Sequence, residues 1–329
     1  MRAIITRGTG GPEVLRSAEL PDPVPGPSEV LIRVAAAGVN RADLLQLQGL
    51  HPPPPGAPHW PGLEVSGVIV AVGPGVDGAS VGDRVCSLLD GGGYADLALA
   101  PAQNLLPVPD GVDLVDAAGL PEAMCTLWSN LVAVAGLDPV GNEGRSALVH
   151  GGSGGIGTTA IQLLKAMRAT VLITAGGPDR VARCVDLGAD VGIDHRSEDF
   201  VDVVRESTGG RGVDVILDVV GAAYLERNVR ALAEHGQLVV IGMQKGTTGT
   251  LDLGPVLQRW LTIHGTVLRR RTASEKAAII SAVRKDAWGF VERGLVRPVI
   301  QARLSLREAA EAHRLMASGE VFGKVVLVP

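Results

Sequence analysis

The first part of the chain is a series of short apolar runs separated by closely spaced turns. Runs of strand length, such as residues 29–34 and 67–72, alternate with Gly- and Pro-rich segments up to about residue 110. Pro21–Pro27, Pro52–Pro55 and Gly73–Gly75 are the clearest of these turn segments. Such punctuation predicts an all-β, barrel-like unit.

From about residue 120 the pattern changes to apolar strands that alternate with helices. The predicted strands are 146–149, 170–174, 191–193, 213–220 and 236–242, and the predicted helices are 158–167, 179–187, 200–207 and 224–234. The remaining predicted elements are a helix at 274–292, a strand near 298–302, a helix at 306–316 and a strand at 324–328. Alternation of this kind requires crossovers and therefore predicts a mostly parallel sheet with helices on both faces.

The predicted fold class is thus α/β, with a β-rich domain followed by a doubly wound parallel sheet. We expect the β-rich domain at residues 1–120, the alternating domain at 121–267, and a return segment at 268–329 that completes the first domain. An active site is expected in the cleft between the two domains.

A glycine-rich run, His150–Gly157, joins the strand at 146–149 to the helix that follows. Gly152 can make the tight turn, Gly154 lets the backbone approach a pyrophosphate, and Gly157 lets helix and strand pack closely. The free N–H groups of the helix terminus would face the anion. The run is therefore interpreted as a dinucleotide-binding turn, with contacts from Gly152, Ser153, Gly154, Gly155, Ile156 and Gly157.

The residues after the strand at 170–174 indicate which dinucleotide binds. A site specific for NAD places an Asp or Glu there, on the ribose 2′-hydroxyl, whereas this chain has Ala175, Gly176 and Gly177. Arg180 follows closely and can hold a 2′-phosphate in a bidentate manner. NADPH is therefore expected, although Arg180 can equally be a solvated residue in the first turn of its helix.

Charge and cysteine content exclude several classes of protein. A net charge of −5 argues against a general nucleic-acid binder, and Arg269–Arg271 is interpreted as a solvated turn. The three cysteines form no CxxC pair, which favours a reducing compartment. With no signal-peptide pattern and no apolar run of membrane-spanning length, a cytoplasmic protein is expected, without a membrane partner.

The chain resembles the medium-chain dehydrogenases/reductases, and specifically their zinc-independent quinone oxidoreductase family, the zeta-crystallin-like enzymes. The segments that carry the resemblance are 37–43, 52–56, 62–67, 81–85, 121–126 and 323–326. It implies a GroES-like catalytic domain, a Rossmann domain, NADPH dependence and a homodimer. The strand-like edge at 261–268 would then form the dimer interface.

No metal site is expected. In the zinc enzymes of the superfamily, a Cys and a His stand at the positions that hold Asn40 and Leu63 here. The third position matches Glu122, which cannot form a zinc site alone. Chemistry is therefore expected to come from positioning and from hydrogen-bond donation to the oxygen that gains negative charge.

Three residues are the candidates for catalysis. The amide of Asn40 can contact the substrate oxygen or orient the nicotinamide ribose, or the residue can simply belong to a turn. Asp43 can take part, but also fits a helix cap or an ion pair. His51 stands where the family often has Tyr, and its imidazole can donate a hydrogen bond or, when protonated, a proton; it can equally be a solvated loop residue.

The resemblance also implies further cofactor contacts along the chain. Thr126 would lie near the nicotinamide ribose and phosphates, and His195 near the adenine or its 2′-phosphate. The other implied contacts are Gly242, Met243, Gln244, Lys245, Val267, Leu268, Phe322, Gly323 and Lys324.

The expected function is NADPH-dependent reduction of a quinone, a small electrophile, by hydride transfer. One alternative is an enoyl or 2-alkenal reductase that acts on α,β-unsaturated carbonyls, with an acceptor pocket around His51, residues 89–93 and 269–271. An aromatic content of 3% slightly favours this alternative. Another alternative is a non-catalytic NADPH-binding module.

Overall fold

The computed structural model describes all residues from Met1 to Pro329. The chain forms two compact units. The discontinuous unit comprises Met1–Cys125 and Arg269–Pro329, and the central unit comprises Thr126–Leu268. No helix of the chain combines the length and the apolar character that a bilayer crossing requires.

The secondary structure consists of fifteen strands and ten α-helices, with short 3₁₀ and π turns between them. The strands are Arg2–Thr6 (β1), Leu15–Glu19 (β2), Glu29–Gly38 (β3), Glu64–Val72 (β4), Arg84–Leu88 (β5), Leu97–Pro101 (β6), Leu105–Pro107 (β7), Ser146–His150 (β8), Thr170–Ala175 (β9), Val191–Asp194 (β10), Val213–Asp218 (β11), Leu232–Val240 (β12), Thr262–Gly265 (β13), Ile300–Ser305 (β14) and Lys324–Val328 (β15). The helices are Arg41–Leu47 (α1), Pro121–Trp128 (α2), Gly155–Ala166 (α3), Pro178–Asp186 (α4), Phe200–Ser207 (α5), Leu225–Ala231 (α6), Leu253–Gln258 (α7), Ala273–Ala282 (α8), Trp288–Glu292 (α9) and Ala309–Ser318 (α10).

A seven-stranded sheet forms the centre of the discontinuous unit. Its order is β14-β15-β3-β4-β5-β7, and β6 also pairs with β3. The last strand of the chain, β15, is antiparallel to β3, with Val326 opposite Gly38. Because β3 ends at Gly38, this pairing brings the C-terminal segment beside the loop that leads into α1.

The central unit contains a six-stranded parallel sheet with the order β10-β9-β8-β11-β12-β13. Numbered from β8, this is the strand order 3-2-1-4-5-6 of a dinucleotide-binding fold, whose ligands bind beyond the carboxyl ends of the strands where the order reverses. The predicted doubly wound parallel sheet is confirmed. The strand β13 lies at the edge of the sheet, as expected.

The glycine-rich turn after β8 is closely packed at some positions and open at another. Gly151 has a φ of +74° and makes the tight turn that the sequence analysis assigned to Gly152. Gly152 is needed for another reason, because a Cβ there would lie 2.7 Å from the Cβ of Ile173. A Cβ on Gly157 would overlap the Gly151 carbonyl oxygen, so α3 can approach the turn only with glycine at that position. Gly154, the N-cap of α3, has only an ordinary contact at 3.6 Å.

A buried chain of polar side chains connects α1 to α10 in the discontinuous unit. The Asp43 carboxylate accepts hydrogen bonds from the backbone N–H groups of Asn40 (2.8 Å) and Gly62 (3.0 Å). The Tyr94 hydroxyl lies 3.3 Å from the same carboxylate and 3.1 Å from Nε2 of His313. Burial raises the pKa of Asp43 to about 6 and lowers that of His313 to about 4.

Several elements differ from those predicted. The helix expected at 274–292 is divided into α8 and α9 by a π turn at Val283–Ala287, after which the buried Trp288 indole donates to the Pro107 carbonyl at 2.8 Å. The strand expected at 261–268 is limited to β13. The six-residue helix α7 was not predicted, because it is too short to show a helical period. The strand β12 begins at Leu232, inside the helix expected at 224–234.

Glycine is expected to be essential for folding at position 157 and dispensable at position 154. Gly157→Ala should lower the free energy of unfolding by roughly 1–3 kcal/mol, because the new methyl group overlaps backbone atoms. Gly154→Ala is the matched control in the same turn and should change it by less than about 0.5 kcal/mol. Chemical denaturation of both variants tests this, and equal stability of the two would contradict it.

The buried His313 is expected to make the protein sensitive to acid. Since its folded-state pKa is about 4 and its usual value 6.5, the unfolded chain takes up a proton first, and stability falls as pH decreases through this window. Asp43, with a raised pKa, acts in the opposite direction below pH 6.

The free energy of unfolding of His313→Phe, relative to that of the wild-type protein, should therefore rise by about 3 kcal/mol when the pH is lowered from 7 to 4. The effect of Asp43 on the pH dependence is present in both proteins and therefore cancels in the comparison. Urea unfolding at each pH measures the difference, and His59→Gln, at an exposed histidine, is the control. If the difference in free energy of unfolding between the two proteins is the same at pH 7 and pH 4, His313 is not held in a neutral form by the fold.

Candidate cofactor and active site

The glycine-rich turn leaves the N-terminus of α3 accessible at the carboxyl edge of the parallel sheet. Ser153, Gly155 and Ile156 are half-buried, and a Cβ on Gly154 would meet only the Gly151 carbonyl oxygen, at 3.6 Å. The first N–H groups of a helix lack partners within it and attract anions. The geometry therefore fits a pyrophosphate at this turn, as the sequence analysis predicts.

A buried polar layer supports this turn from below. His150, the residue before the turn, lies 3.0 Å from the Thr174 hydroxyl and 2.8 Å from Oδ1 of Asn228. The Asn228 amide donates in turn to the Asp218 carboxylate at 3.2 Å. Burial lowers the pKa of His150 to about 4 and raises that of Asp218 to about 6. A neutral His150 at the end of β8 is thus hydrogen-bonded to β9 directly and to the end of β11 through Asn228.

Two residues after β10 lie over the two glycines after β9. The parallel register pairs Asp194 with Ala175, so His195 and Arg196 follow beside Gly176 and Gly177. A Cβ on Gly176 would lie 3.2 Å from both Nε of Arg196 and Nε2 of His195. A larger residue at position 176 would therefore displace these two side chains.

Positive charge predominates around Gly176. Burial lowers the pKa of His195, and the nearby Lys245 and Arg196 lower it further. Arg180 lies at the third position of α4, half-buried, and makes no ion pair within the chain. One carboxylate is close, that of Asp194, but it accepts hydrogen bonds from the backbone N–H groups of Gly177 (2.9 Å) and Arg196 (3.0 Å).

The other residues expected at the cofactor in the central unit lie at different depths. Gly242 to Lys245 follow β12, and the backbone of Gln244 and Lys245 bonds to the loop after β11. Met243, Gln244, Lys245 and Val267 are exposed, and Leu268 is half-buried. Thr126 is buried in α2, where its carbonyl accepts from Ser129 and Asn130.

In the discontinuous unit, Asn40 belongs to a buried cluster with Glu64 and Lys324. The Asn40 amide donates to Oε1 of Glu64 at 2.8 Å, and its Oδ1 accepts from the Lys324 ammonium at 3.0 Å. Lys324 also forms an ion pair with Glu64. The second carboxylate oxygen of Glu64 accepts the backbone N–H of Glu122 at 2.9 Å. Both the nitrogen and the oxygen of the Asn40 amide are therefore hydrogen-bonded.

Asp43 is placed as a supporting residue. It is fully buried at the third position of α1 and fixes the backbone of Asn40, whereas Asn40 itself is the N-cap. The expected cap is thus formed by the reciprocal pair of these residues, and Asp43 is inaccessible to solvent.

His51 and Arg269 lie together in the discontinuous unit. The Arg269 guanidinium is buried and donates to the carbonyls of His51 (2.9 Å) and Asp90 (3.1 and 2.6 Å). The interpretation of Arg269 as part of a solvated turn was therefore wrong. Burial lowers the pKa of His51, and the nearby Arg269 and Arg270 lower it further. The imidazole is thus neutral at pH 7, which favours hydrogen-bond donation over proton donation.

The C-terminal residues expected at the cofactor are largely buried. Phe322 is buried, with its backbone N–H bonded to Gln301 at 2.6 Å. Gly323 has a φ of +88°, and a side chain there would overlap the Val299 carbonyl. The ammonium of Lys324 is used by Glu64 and Asn40, so the cofactor contact predicted for it has no support in this geometry.

Sequence reasoning missed two important residues, Arg196 and Glu64. Arg196 could have been found by aligning the ends of β9 and β10 in a parallel register, which places it beside Gly177. Glu64 is an acid at the start of an apolar strand, and such a residue requires a buried partner. The structure shows no group of three or more His, Cys, Asp or Glu side chains arranged to hold a metal.

Two family models match different parts of the chain. The model described as "Alcohol dehydrogenase GroES-like domain" matches residues 26–110, within the discontinuous unit. The model described as "Zinc-binding dehydrogenase" matches residues 155–283, which include five of the six strands of the parallel sheet, β9 to β13. The predicted combination of a GroES-like domain and a Rossmann-like sheet is thereby confirmed.

Two solved structures resemble the chain over its full length. A structure titled as an NAD-dependent alcohol dehydrogenase has a TM-score of 0.88 and 36% identity, and covers 100% of both chains. Quinone oxidoreductase of Escherichia coli in complex with NADPH has a TM-score of 0.87 and 28% identity, with 100% of both chains covered.

Curated relatives match the chain from end to end. Quinone oxidoreductase of Lama guanicoe is 33% identical over 100% of this chain and 97% of its own length. A 2-haloacrylate reductase of a Burkholderia species is 32% identical over 100% of this chain and 99% of its own length. The chain is therefore an oxidoreductase that belongs to the medium-chain dehydrogenase/reductase superfamily, within its zinc-independent, quinone oxidoreductase-like family.

Proposed function

We propose that the protein is an NADPH-dependent reductase that transfers a hydride to a quinone. The observation that carries the cofactor assignment is the group of basic side chains around Gly176, at the end of the second strand of the parallel sheet. Quinone oxidoreductases among the relatives support the acceptor class.

The glycine turn and the basic group suit different phosphates of NADPH. The open N-terminus of α3 at Gly154 suits the pyrophosphate, since a side chain there would fill the space that the backbone leaves for an anion. Arg196, His195, Lys245 and Arg180 suit the 2′-phosphate, because guanidinium groups bind phosphate oxygens in a bidentate manner. The Asp194 carboxylate would oppose a phosphate, but its hydrogen bonds to two backbone N–H groups direct it into the loop.

NADPH supplies the hydride, and the residues of this chain are proposed to stabilise the oxygen that gains negative charge. Asn40 offers an amide N–H that its bonds to Glu64 and Lys324 do not use. His51, neutral at pH 7, is a second candidate donor. Neutral donors suffice for a quinone, whose reduced form is a weakly basic phenolate.

Reduction of an α,β-unsaturated carbonyl compound is the second candidate function. A relative over the full chain length is named 2-haloacrylate reductase, and this name describes a conjugated carbon–carbon double bond as the acceptor. The chain also has few aromatic residues, 3% of the total, with which to stack a quinone ring. The same hydride donor and the same oxygen-binding residues would serve both reactions.

We further propose that the protein is a homodimer formed through the edge strand β13. The unpaired edge of β13 can add a strand from a second copy. Large apolar side chains are exposed on and beside it, at Trp260, Ile263 and Val267.

We also propose a cytoplasmic location. The three cysteines are free and buried, which agrees with a reducing compartment.

The first experiment is NADPH oxidation by the purified, chelator-treated protein. One panel contains ortho- and para-quinones and the other contains α,β-unsaturated aldehydes, ketones and acids, with NADH run in parallel. Turnover of quinones is expected with NADPH, and a preference for the second panel would favour the second candidate function. Cofactor binding without turnover in either panel would contradict both and indicate a binding module.

Arg196 is expected to determine the preference for NADPH. Arg196→Ala should raise the KM for NADPH by roughly 10- to 100-fold, the value of one charge-assisted hydrogen bond, and should leave the KM for NADH nearly unchanged. Arg180→Ala, measured beside it, shows which guanidinium carries more of the effect. Arg230→Ala removes an exposed positive charge elsewhere on the central unit and is the control. Equal effects on both cofactors would reject the 2′-phosphate assignment.

A further inference from the structure

The buried cluster around Asn40 determines which way its amide points. Lys324 has only hydrogen-bond donors, so the Asn40 atom that faces it at 3.0 Å must be the carbonyl oxygen. Glu64, as a carboxylate, has only acceptors, so the atom that faces it at 2.8 Å must be the amide nitrogen. Flipping the amide would break both bonds at once. The pair therefore selects one of the two amide orientations.

We propose that Lys324 and Glu64 are positioning residues for the reduction, and that they act through Asn40. This inference rests on the proposed function, in which Asn40 donates to the acceptor oxygen. Fixing the amide leaves one Nδ2 hydrogen without an acceptor in the cluster, and that hydrogen is the one offered to the substrate.

Burial within the cluster supports this division of roles. Glu64 is 0% exposed and Lys324 is 4% exposed, whereas Asn40 is 8% exposed and is the most accessible of the three. The ionised residues thus lie behind the neutral one. A substrate would meet an amide N–H and not a charge, which suits an acceptor that is itself uncharged.

The charge of Lys324 is expected to strengthen the donor that it positions. An ammonium bonded to an amide oxygen withdraws electron density from the amide nitrogen, and hydrogen bonds in a chain polarise one another. The remaining N–H therefore becomes a better donor as negative charge develops on the acceptor oxygen. This effect acts on the transition state more than on the bound substrate, so it should appear in kcat and not in KM.

The backbone has features that make room for the cluster. A side chain on Gly38, at the end of β3, would overlap the Glu64 carboxylate. Lys324 is the first residue of β15, directly after Gly323 with its φ of +88°. Gly38 therefore leaves room for the Glu64 carboxylate, and Gly323 lets the chain enter β15 close to the Val299 carbonyl.

A double-mutant cycle on kcat tests the proposal. The charge-neutral pair Lys324→Met with Glu64→Gln removes the ion pair without leaving an unpaired buried charge. Asn40→Ala removes the donor, and the triple variant closes the cycle. All four proteins are compared by melting temperature and by the Kd for NADPH, so that loss of folding is recognised.

We expect Asn40→Ala to lower kcat by roughly 100-fold, as loss of an oxyanion donor does. The charge-neutral pair should lower kcat by about 10-fold in the wild-type background and by less than about twofold in the Asn40→Ala background, with KM nearly unchanged in both. A purely structural ion pair would instead reduce kcat by the same factor in both backgrounds, and this would overturn the proposal.

Lys324→Gln combined with Glu64→Gln is a second variant in case the first pair does not fold, since it also leaves no unpaired buried charge and keeps polar side chains at both positions. The amide at position 324 can still donate to Asn40 but carries no charge, so kcat should fall by several-fold with KM nearly unchanged, and only when Asn40 is present. No effect on kcat would overturn the proposal. If the wild-type protein turns over and Asn40→Ala does not slow it, this inference and the donor role of Asn40 fail, while the proposed reductase activity stands. If the wild-type protein turns over neither panel, the proposed function fails as well.

Discussion

The buried ion pair between Lys324 and Glu64 constrains the whole β-rich unit. Removing two charges from water costs several kcal/mol for each ion, and only close pairing with further hydrogen bonds offsets this cost. Here the partners are 260 residues apart in sequence, in β15 and β4. The pair is satisfied only when β15 lies against β3, as the pairing of Val326 with Gly38 provides. The β-rich unit is therefore complete only once the last strand of the chain is in place.

In the central unit, the register of a parallel sheet has a similar role. Loops that are far apart in sequence meet at the carboxyl ends of neighbouring strands, and here these loops supply glycine, imidazole and guanidinium groups. The layer beneath these loops is polar and buried. Its hydrogen bonds are made by a neutral His150 and by the Asn228 amide. The turn that would receive the pyrophosphate thus rests on a neutral His150, which the Asn228 amide links to the Asp218 carboxylate, and the basic side chains of Arg196 and Lys245 are exposed.

The elements and the motif could be predicted from the sequence because they depend on local patterns. The alternation of strands and helices gave the parallel sheet, and the glycine spacing gave the turn at α3. Residues whose roles depend on distant partners could not be found in this way. Arg269 appeared solvated because its partners, the carbonyls of His51 and Asp90, lie about 180 to 220 residues away in sequence. Lys324 was expected at the cofactor from the resemblance, and nothing local in the sequence reveals its ion pair with Glu64.

The arrangement of charges limits the chemistry that the discontinuous unit can support. The candidate groups nearest its surface, Asn40 and a neutral His51, are weak acids, and the ionised groups behind Asn40 are already paired. Such donors can stabilise an oxyanion but protonate a strongly basic alkoxide poorly. Acceptors whose charge is delocalised on arrival of the hydride, as in quinones and enones, do not require a strong acid. The two neutral donors proposed here, Asn40 and His51, therefore suit a conjugated acceptor of this kind.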